Sequence, residues 1–118
     1  MEGPIMRTII AGSRGVTDYR VVCDAVIASC FDPTVILSGT ARGVDRLGEE
    51  WATKHKVPIE RYPANWEKDG KAAGYYRNTL MSFLADALIA IWDGKSRGTK
   101  HMIDLAKQKG MRVYVHKV

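Results

Sequence analysis

Three loops rich in small residues and arginine carry the residue types that could bind an anionic ligand. They span residues 12–15, 38–45 and 93–99, and each lies between a short apolar run and a helical pattern. A glycine-rich turn at the start of a helix exposes backbone N–H groups at the positive end of the helix dipole, and this suits a phosphate. Because a simple turn has no need of an arginine, the three loops together predict a site for a phosphorylated ligand.

The loops are positioned by five short apolar strands that alternate with helical patterns. This alternation predicts an α/β fold with a parallel sheet covered by helices on both faces. With right-handed crossovers, we expect one three-layer α/β/α domain over residues 1–118, with a five-stranded, mostly parallel sheet in the order 3-2-1-4-5. The three loops then converge at the carboxyl edge, around a topological switch point between strands one and four. The predicted strands are Met6–Ala11, Val35–Leu37, Val57–Tyr62, Ala87–Trp92 and Val113–Val115.

Apolar residues at spacings of three and four predict the helices between these strands. The first begins near Asp18 and is expected to bury Ile27 and Cys30 together with other apolar residues. The pattern breaks over residues 63–74, which predicts a long loop of the kind that is often functional. The last two helices are expected over Tyr75–Leu84 and Thr99–Lys109.

The composition favours anionic partners and gives no sign of a membrane protein. The formal net charge is +5, which suits nucleotides or nucleic acid. No apolar run approaches the ~20 residues that span a bilayer, and Met1–Pro4 lacks the features of a signal peptide. Cys23 and Cys30 lie ~10 Å apart along one predicted helix, so we expect buried, unpaired thiols rather than a disulfide. A cytoplasmic location follows as an expectation.

Several common motifs are absent from the sequence. Residues 12–15 lack the G-x-G-x-x-G spacing of a dinucleotide site, and Gly98-Thr99-Lys100 has the wrong order for a Walker A loop. The three histidines are scattered without a metal-binding pattern. We therefore expect a binding module without a required cofactor, a metal or a self-sufficient catalytic constellation.

The candidate ligand-binding residues come from the three loops and from the start of the third predicted helix. Asp45 has two interpretations: it stabilises the first turn of a helix, or it receives a ribose hydroxyl or positions an arginine. Trp66 and Tyr75-Tyr76 either stack on a base or pack as ordinary aromatics. The sequence does not decide which arginine of the three loops faces the ligand. The candidates are Gly12, Ser13, Arg14, Gly15, Ser38, Gly39, Thr40, Arg42, Gly43, Asp45, Arg77, Asn78, Asp93, Gly94, Ser96, Arg97, Gly98 and Thr99.

Five strings, taken in order and spacing, carry a family resemblance. They are Gly12–Arg14, Ser38–Asp45, Tyr62–Trp66, Tyr76–Asn78 and Ser96–Thr99. In these strings the chain resembles the SLOG superfamily of Rossmann-like domains, above all its YspA branch, which is related to cpYpsA. The resemblance implies a nucleotide or nucleotide-derived ligand, a homodimer, and the phage or prophage origin of many members.

Two other families resemble parts of the chain and imply different functions. The string Ser38–Asp45 is similar to the core of DprA/Smf, which implies single-stranded DNA as a partner. The segment Arg77–Met81 is similar to the LOG family of nucleoside-monophosphate phosphoribohydrolases, and it carries that family's catalytic arginine over to Arg77. Met102 stands where that family has its catalytic glutamate. Because a thioether does not stabilise charge as a carboxylate does, we expect binding rather than N-glycosidase activity.

Overall fold

The computed structural model describes residues 3–118. Strands and helices alternate through this part of the chain, as the sequence predicts. The strands are β1 (Arg7–Gly12), β2 (Val35–Ser38), β3 (Ile59–Arg61), β4 (Ala87–Trp92) and β5 (Arg112–Lys117). The helices are α1 (Tyr19–Ser29), α2 (Val44–Lys54), α3 (Trp66–Asp69), α4 (Ala73–Leu84) and α5 (Arg97–Gln108), with a 3₁₀ turn at Gly70–Ala72 before α4.

The five strands form one sheet in the order β3-β2-β1-β4-β5, and every neighbouring pair is parallel. In the central strand, Ile9 stands opposite Leu37 of β2 and Leu88 of β4. The predicted fold class and strand order are confirmed. The order reverses between β1 and β4, so the carboxyl ends of these two strands define the switch point.

The core has two layers, one on each face of the sheet. Successive residues of a strand point to opposite faces, and β1 divides its side chains accordingly. Ile10 packs in the layer of α1 and α2, with Val22 and Trp51. Ile9 packs in the layer of α4 and α5, with Met81 and Met102. The central strands are therefore covered on both sides.

The end of α1 differs from the prediction. The helix stops at Ser29, and Cys30 follows it in the left-handed region at φ 59°, with its N–H donated to the carbonyl of Ile27 at 3.1 Å. Cys30 is exposed and Cys23 is half-buried, so the expectation of two buried thiols was wrong. Ile27 is 76% exposed, because Val22, Ala25 and Val26 form the buried face of the helix instead.

The segment 63–74 is not the long loop that the sequence predicts. It contains α3, the 3₁₀ turn and the first two residues of α4. Asn65 caps α3, with its side chain accepting the N–H of Lys68 at 3.1 Å. The prediction from apolar periodicity was wrong here, because a helix of one turn, such as α3, is too short to show a periodic pattern. Within residues 3–118, every helix is too short or too polar to cross a bilayer.

Candidate ligand-binding site

A cavity of about 480 Å³ opens at the carboxyl edge of the sheet, at the switch point between β1 and β4. We call it the main cavity. Its wall is formed by the loops after β1 and β4, by α4 and by the N-terminus of α5, with contributions from Ala41, Asp45, Trp66 and Lys71. This volume falls within the range of about 300–1,000 Å³ that is usual for small-molecule sites.

Most of the candidate residues contribute to the wall of the main cavity. The three loops and α4 thus meet around a common space, although they are far apart in the sequence. The candidates that line the main cavity are Gly12, Ser13, Arg14, Gly15, Asp45, Arg77, Asn78, Asp93, Ser96, Gly98 and Thr99.

The remaining candidates lie elsewhere. A second cavity of about 420 Å³, the side cavity, is lined by Gly39, Thr40 and Arg42 together with Arg14, Ala41, Pro63, Ala64, Trp66 and Arg77. Neither cavity is lined by Ser38, Gly43, Gly94 or Arg97.

Two of these outlying candidates have a structural role that explains their position. The buried hydroxyl of Ser38 donates to Glu49 at 2.6 Å and accepts the N–H of Thr40 at 3.1 Å, which holds the loop after β2. Gly43 directly precedes α2, has a φ of +78° and packs against the backbone of Arg14. A side chain at position 43 would be strained and would also collide with the loop after β1.

The loops after β1 and β4 are tied together at their bases. A Cβ on Gly12 would collide with the carbonyl oxygen of Ile91, so only glycine permits this approach. The N–H of Ser13 donates to the same carbonyl at 3.0 Å, and its hydroxyl accepts the N–H of Asp93 at 3.2 Å. These contacts fix the position of Arg14 relative to the N-terminus of α5.

The N-terminus of α5 presents free donors at the main cavity. Asp93 accepts the N–H groups of Lys95 and Ser96, each at 2.8 Å, and Ser96 caps the helix by accepting the N–H of Thr99 at 3.4 Å. Among residues 3–118, no acceptor engages the N–H groups of Arg97 and Gly98. Unpaired N–H groups and the helix dipole together make this end of α5 favourable for an anion.

Hydrogen bonds to neighbouring groups hold the guanidinium of Arg77 in place. Its Nη1 donates to the carbonyl oxygen of Gly39, and its Nε donates to Asn78 Oδ1 at 3.0 Å. Asn78 is buried, and its Nδ2 donates to the carbonyl of Gly98 at 3.2 Å. Burial lowers the pKa of the Arg77 guanidinium, an effect that the carboxylate of Asp45 opposes and the charge of Arg14 reinforces. The contacts join the loop after β2, α4 and α5.

Asp45 is buried beside this network, in the first turn of α2. Its Oδ2 accepts the N–H of Ala41 at 3.1 Å. Burial raises the pKa of its carboxyl group to about 6, with Glu49 adding to the rise and Ala41, Arg77 and Arg14 opposing it. Of the interpretations that the sequence leaves open, these contacts favour a residue that holds the loop after β2 and faces the two arginines.

The side chains of the three loop arginines differ in position. Arg14, Arg42 and Arg97 are all exposed, and none has a hydrogen bond or an ion pair with a side chain of residues 3–118. Arg14 lines both cavities and Arg42 lines the side cavity alone. Arg14 is thus the loop arginine that faces the main cavity.

Sequence reasoning missed part of the wall. Lys71 lies in the 3₁₀ turn before α4 and lines the main cavity. Recognising Asn65 as a helix cap would have indicated that this segment is ordered.

Of the aromatic residues that the sequence suggests for stacking, Trp66 and Tyr75 line the main cavity, whereas Tyr76 lines neither cavity and is 61% exposed. The edge of the Tyr75 ring meets the ring of His101, with centroids 4.6 Å apart.

The fold and the cavity together define a Rossmann-like α/β domain with a cavity at its switch point. The chain belongs to the YspA, cpYpsA-related SLOG family, whose model matches residues 6–68. It is 34% identical over 116 residues to the Gene 61 protein of Mycobacterium phage D29, and the match covers 91% of this chain and 93% of that protein. The resemblance inferred from the sequence strings is confirmed. Membership in this family indicates a nucleotide-related ligand-binding role.

Proposed function

We propose that this protein binds a phosphorylated nucleotide in the main cavity. The observation that carries the proposal is the convergence of two independent anion-binding features on one wall. These features are the unpaired N–H groups at the start of α5 and the guanidinium of Arg14, which forms no ion pair with any acidic residue among residues 3–118. The family match supports a nucleotide-related ligand of this kind.

The phosphate belongs at the end of the cavity nearest α5. A helix N-terminus contributes roughly 0.3–1 kcal/mol toward an anion, and a hydrogen bond to a charged group contributes about 1.5–3 kcal/mol. Arg14 offers the paired donors that suit a phosphate. The hydroxyls of Ser96 and Thr99, 3.0 Å apart in the same wall, add further polar groups.

The nucleoside belongs against the aromatic side chains of the same cavity, those of Trp66 and Tyr75. Trp66 and Tyr75 are 51% and 41% exposed and both line the cavity, so their rings are accessible to a base. Stacking of a base on an aromatic ring contributes about 1–3 kcal/mol.

Binding without cleavage is the expected outcome. Met102, in the position of the LOG-family glutamate, is 1% exposed and lies in the cavity wall. A thioether there neither accepts a proton nor stabilises a developing positive charge. Incubation with nucleoside monophosphates should therefore release no free base.

The proposal is tested by a thermal-shift screen of AMP, GMP, CMP and UMP, followed by calorimetric titration of those that stabilise the protein. A nucleotide at 100 times its dissociation constant stabilises the fold by about 2.7 kcal/mol, which raises the melting temperature by several degrees. Arg14→Gln should weaken binding by about tenfold or more, because one charge-assisted hydrogen bond is lost.

The matched control is Arg112→Gln. Arg112 is exposed at the start of β5, at the opposite edge of the sheet, and the substitution makes the same change of charge. It should leave nucleotide affinity within about twofold of the wild type. The proposal fails if none of the four nucleotides stabilises the protein, or if both substitutions weaken binding equally.

Single-stranded DNA is the alternative partner that the sequence suggests, and salt distinguishes the two. A strand that neutralises several phosphates loses affinity with a log–log slope of about −0.7 per contact. The proposal predicts that a mononucleotide binds with a shallower slope and saturates at one molecule per chain. A steep slope with oligothymidine, together with no mononucleotide binding, would favour the DNA-binding role.

A further inference from the structure

The side cavity has a wall of unusual charge. Three arginine side chains contribute to it, those of Arg14, Arg42 and Arg77, and no residue of its wall within the described part of the chain is acidic. The wall of the main cavity contains Asp45 and Asp93 beside its cations. The side cavity is therefore the more strongly cationic of the two.

Within the described residues, the positive charge of the side cavity is compensated only in part, by the nearby carboxylate of Asp45. Arg77 donates to the neutral groups Gly39 and Asn78. Arg14 and Arg42 form no ion pair with residues 3–118. Burial is the main cause of the lowered pKa of Arg77; the charge of Asp45 opposes it and the charge of Arg14 adds to it, so these two cations repel each other. An anion bound between them would remove this repulsion.

The two cavities adjoin, so one ligand can occupy both. The residues that belong to both walls are Arg14, Ala41, Trp66 and Arg77.

Thr40, which lines the side cavity, has its backbone in the left-handed region at φ 65°, a conformation that is uncommon for a residue other than glycine. Its backbone is held there by the hydrogen bond from its N–H to Ser38.

We propose that the ligand is a nucleotide with two phosphate groups, one bound in the main cavity and the other bound in the side cavity by Arg42 and Arg14. This inference rests on the proposed function and specifies the class of nucleotide. A guanidinium binds a phosphate through two parallel N–H···O bonds. Of these two arginines, Arg42 is the one whose substitution tests the second phosphate alone, because Arg42 lines the side cavity but not the main cavity.

The test is a calorimetric comparison of three ligands for each of the four bases: the 5′-monophosphate, the 5′-diphosphate and the 3′,5′-bisphosphate. Each ligand is titrated into the wild type, into Arg42→Gln and into the control Arg112→Gln. In the wild type, at least one form with two phosphates should bind about tenfold or more tightly than its monophosphate, which is the effect of one added charge-assisted contact. Arg42→Gln should remove most of this advantage, and Arg112→Gln should retain it.

The outcomes separate this inference from the proposed function. If monophosphates bind but a second phosphate adds no affinity, or if its advantage survives in Arg42→Gln, the side cavity is not a phosphate subsite and the inference is overturned. The proposed function would then stand. If no nucleotide binds in any form, the proposed function itself fails. Melting temperatures of the three proteins without ligand check that the substitutions have not disturbed the fold.

Discussion

At the scale of single residues, Asp45 connects stability with the candidate site. It holds Ala41 through a hydrogen bond of 3.1 Å and faces Arg77 and Arg14 across the cavity wall. The cost of burying this carboxylate raises its pKa to about 6 from a usual 3.8. The folded protein therefore retains a proton over a pH range in which the unfolded chain has released it.

The raised pKa predicts a pH-dependent effect of Asp45→Asn. Because the folded state binds more protons than the unfolded state between pH 4 and pH 6, the contribution of Asp45 to the free energy of unfolding falls as the pH rises. The wild type should therefore lose up to about 3 kcal/mol relative to Asp45→Asn between pH 4 and pH 7.5. Urea unfolding of both proteins at the two pH values measures this, and an equal difference at both would contradict the raised pKa.

Within the site, the sequence predicts which residues lie at strand ends but not which side chains contact one another across the fold. The loops and the switch point follow from strand order, so residues that lie next to strand ends, such as Arg14 and Asp93, were placed correctly at the cavity. The contact between Arg77 and Gly39 joins residues 38 positions apart, and local patterns hold no information on such a pairing. Local patterns hold no information on the contact of Ser38 with Glu49 either, since Glu49 lies in the next helix; a role of Ser38 in ligand binding stays a prediction.

At the scale of the elements, strands and long helices were predictable but their ends were not. β1 and β4 contain short continuous apolar runs, which are typical of strands that are buried on both faces of a parallel sheet. The helix α3 has four residues, fewer than a hydrophobic period requires. α1 ends earlier than its apolar pattern because Cys30 adopts a left-handed conformation, which no propensity of cysteine predicts.

The close packing of α2 on β1 predicts that Gly48→Ala is destabilising. A Cβ at position 48 would lie 2.9 Å from two side-chain atoms of the buried Ile10. Overpacking of this kind costs about 1–3 kcal/mol, which outweighs a gain of roughly 0.5–1 kcal/mol in helix propensity. Urea unfolding should give a lower midpoint than for the wild type.

Gly74→Ala is the matched control for this packing effect. Gly74 also lies in a helix, but its Cβ would meet its nearest neighbour, Trp66, at an ordinary 3.5 Å. Its substitution should leave stability unchanged or increase it slightly. A loss of stability in Gly74→Ala as large as in Gly48→Ala would show that packing against Ile10 is not the cause.

At the scale of the whole molecule, α4 has an exposed apolar face on the side away from the core. Tyr76, Leu80 and Phe83 are 61%, 49% and 68% exposed and lie at helical spacing. The homodimer implied by the sequence resemblance stays a prediction, and this face is its proposed contact. Sedimentation should give about twice the chain mass of 13.1 kDa, and Leu80→Glu should shift it to the monomer. A monomeric wild type would contradict the dimer. An equal effect of Ala28→Glu, a substitution in α1 on the opposite side of the sheet, would contradict the contact through α4.

The central claim is that the cavity between the ends of β1 and β4 binds a nucleotide phosphate, and an NMR titration tests it most directly. The ¹⁵N-labelled protein is titrated with whichever of AMP, GMP, CMP and UMP gives the largest thermal shift. If the phosphate binds in this cavity, the largest amide shifts occur at Gly12–Gly15 and at Arg97–Thr99, while the amide of Arg112 at the start of β5 remains unchanged. Shifts concentrated at the opposite edge of the sheet, or no saturable shift at either loop, would contradict this claim.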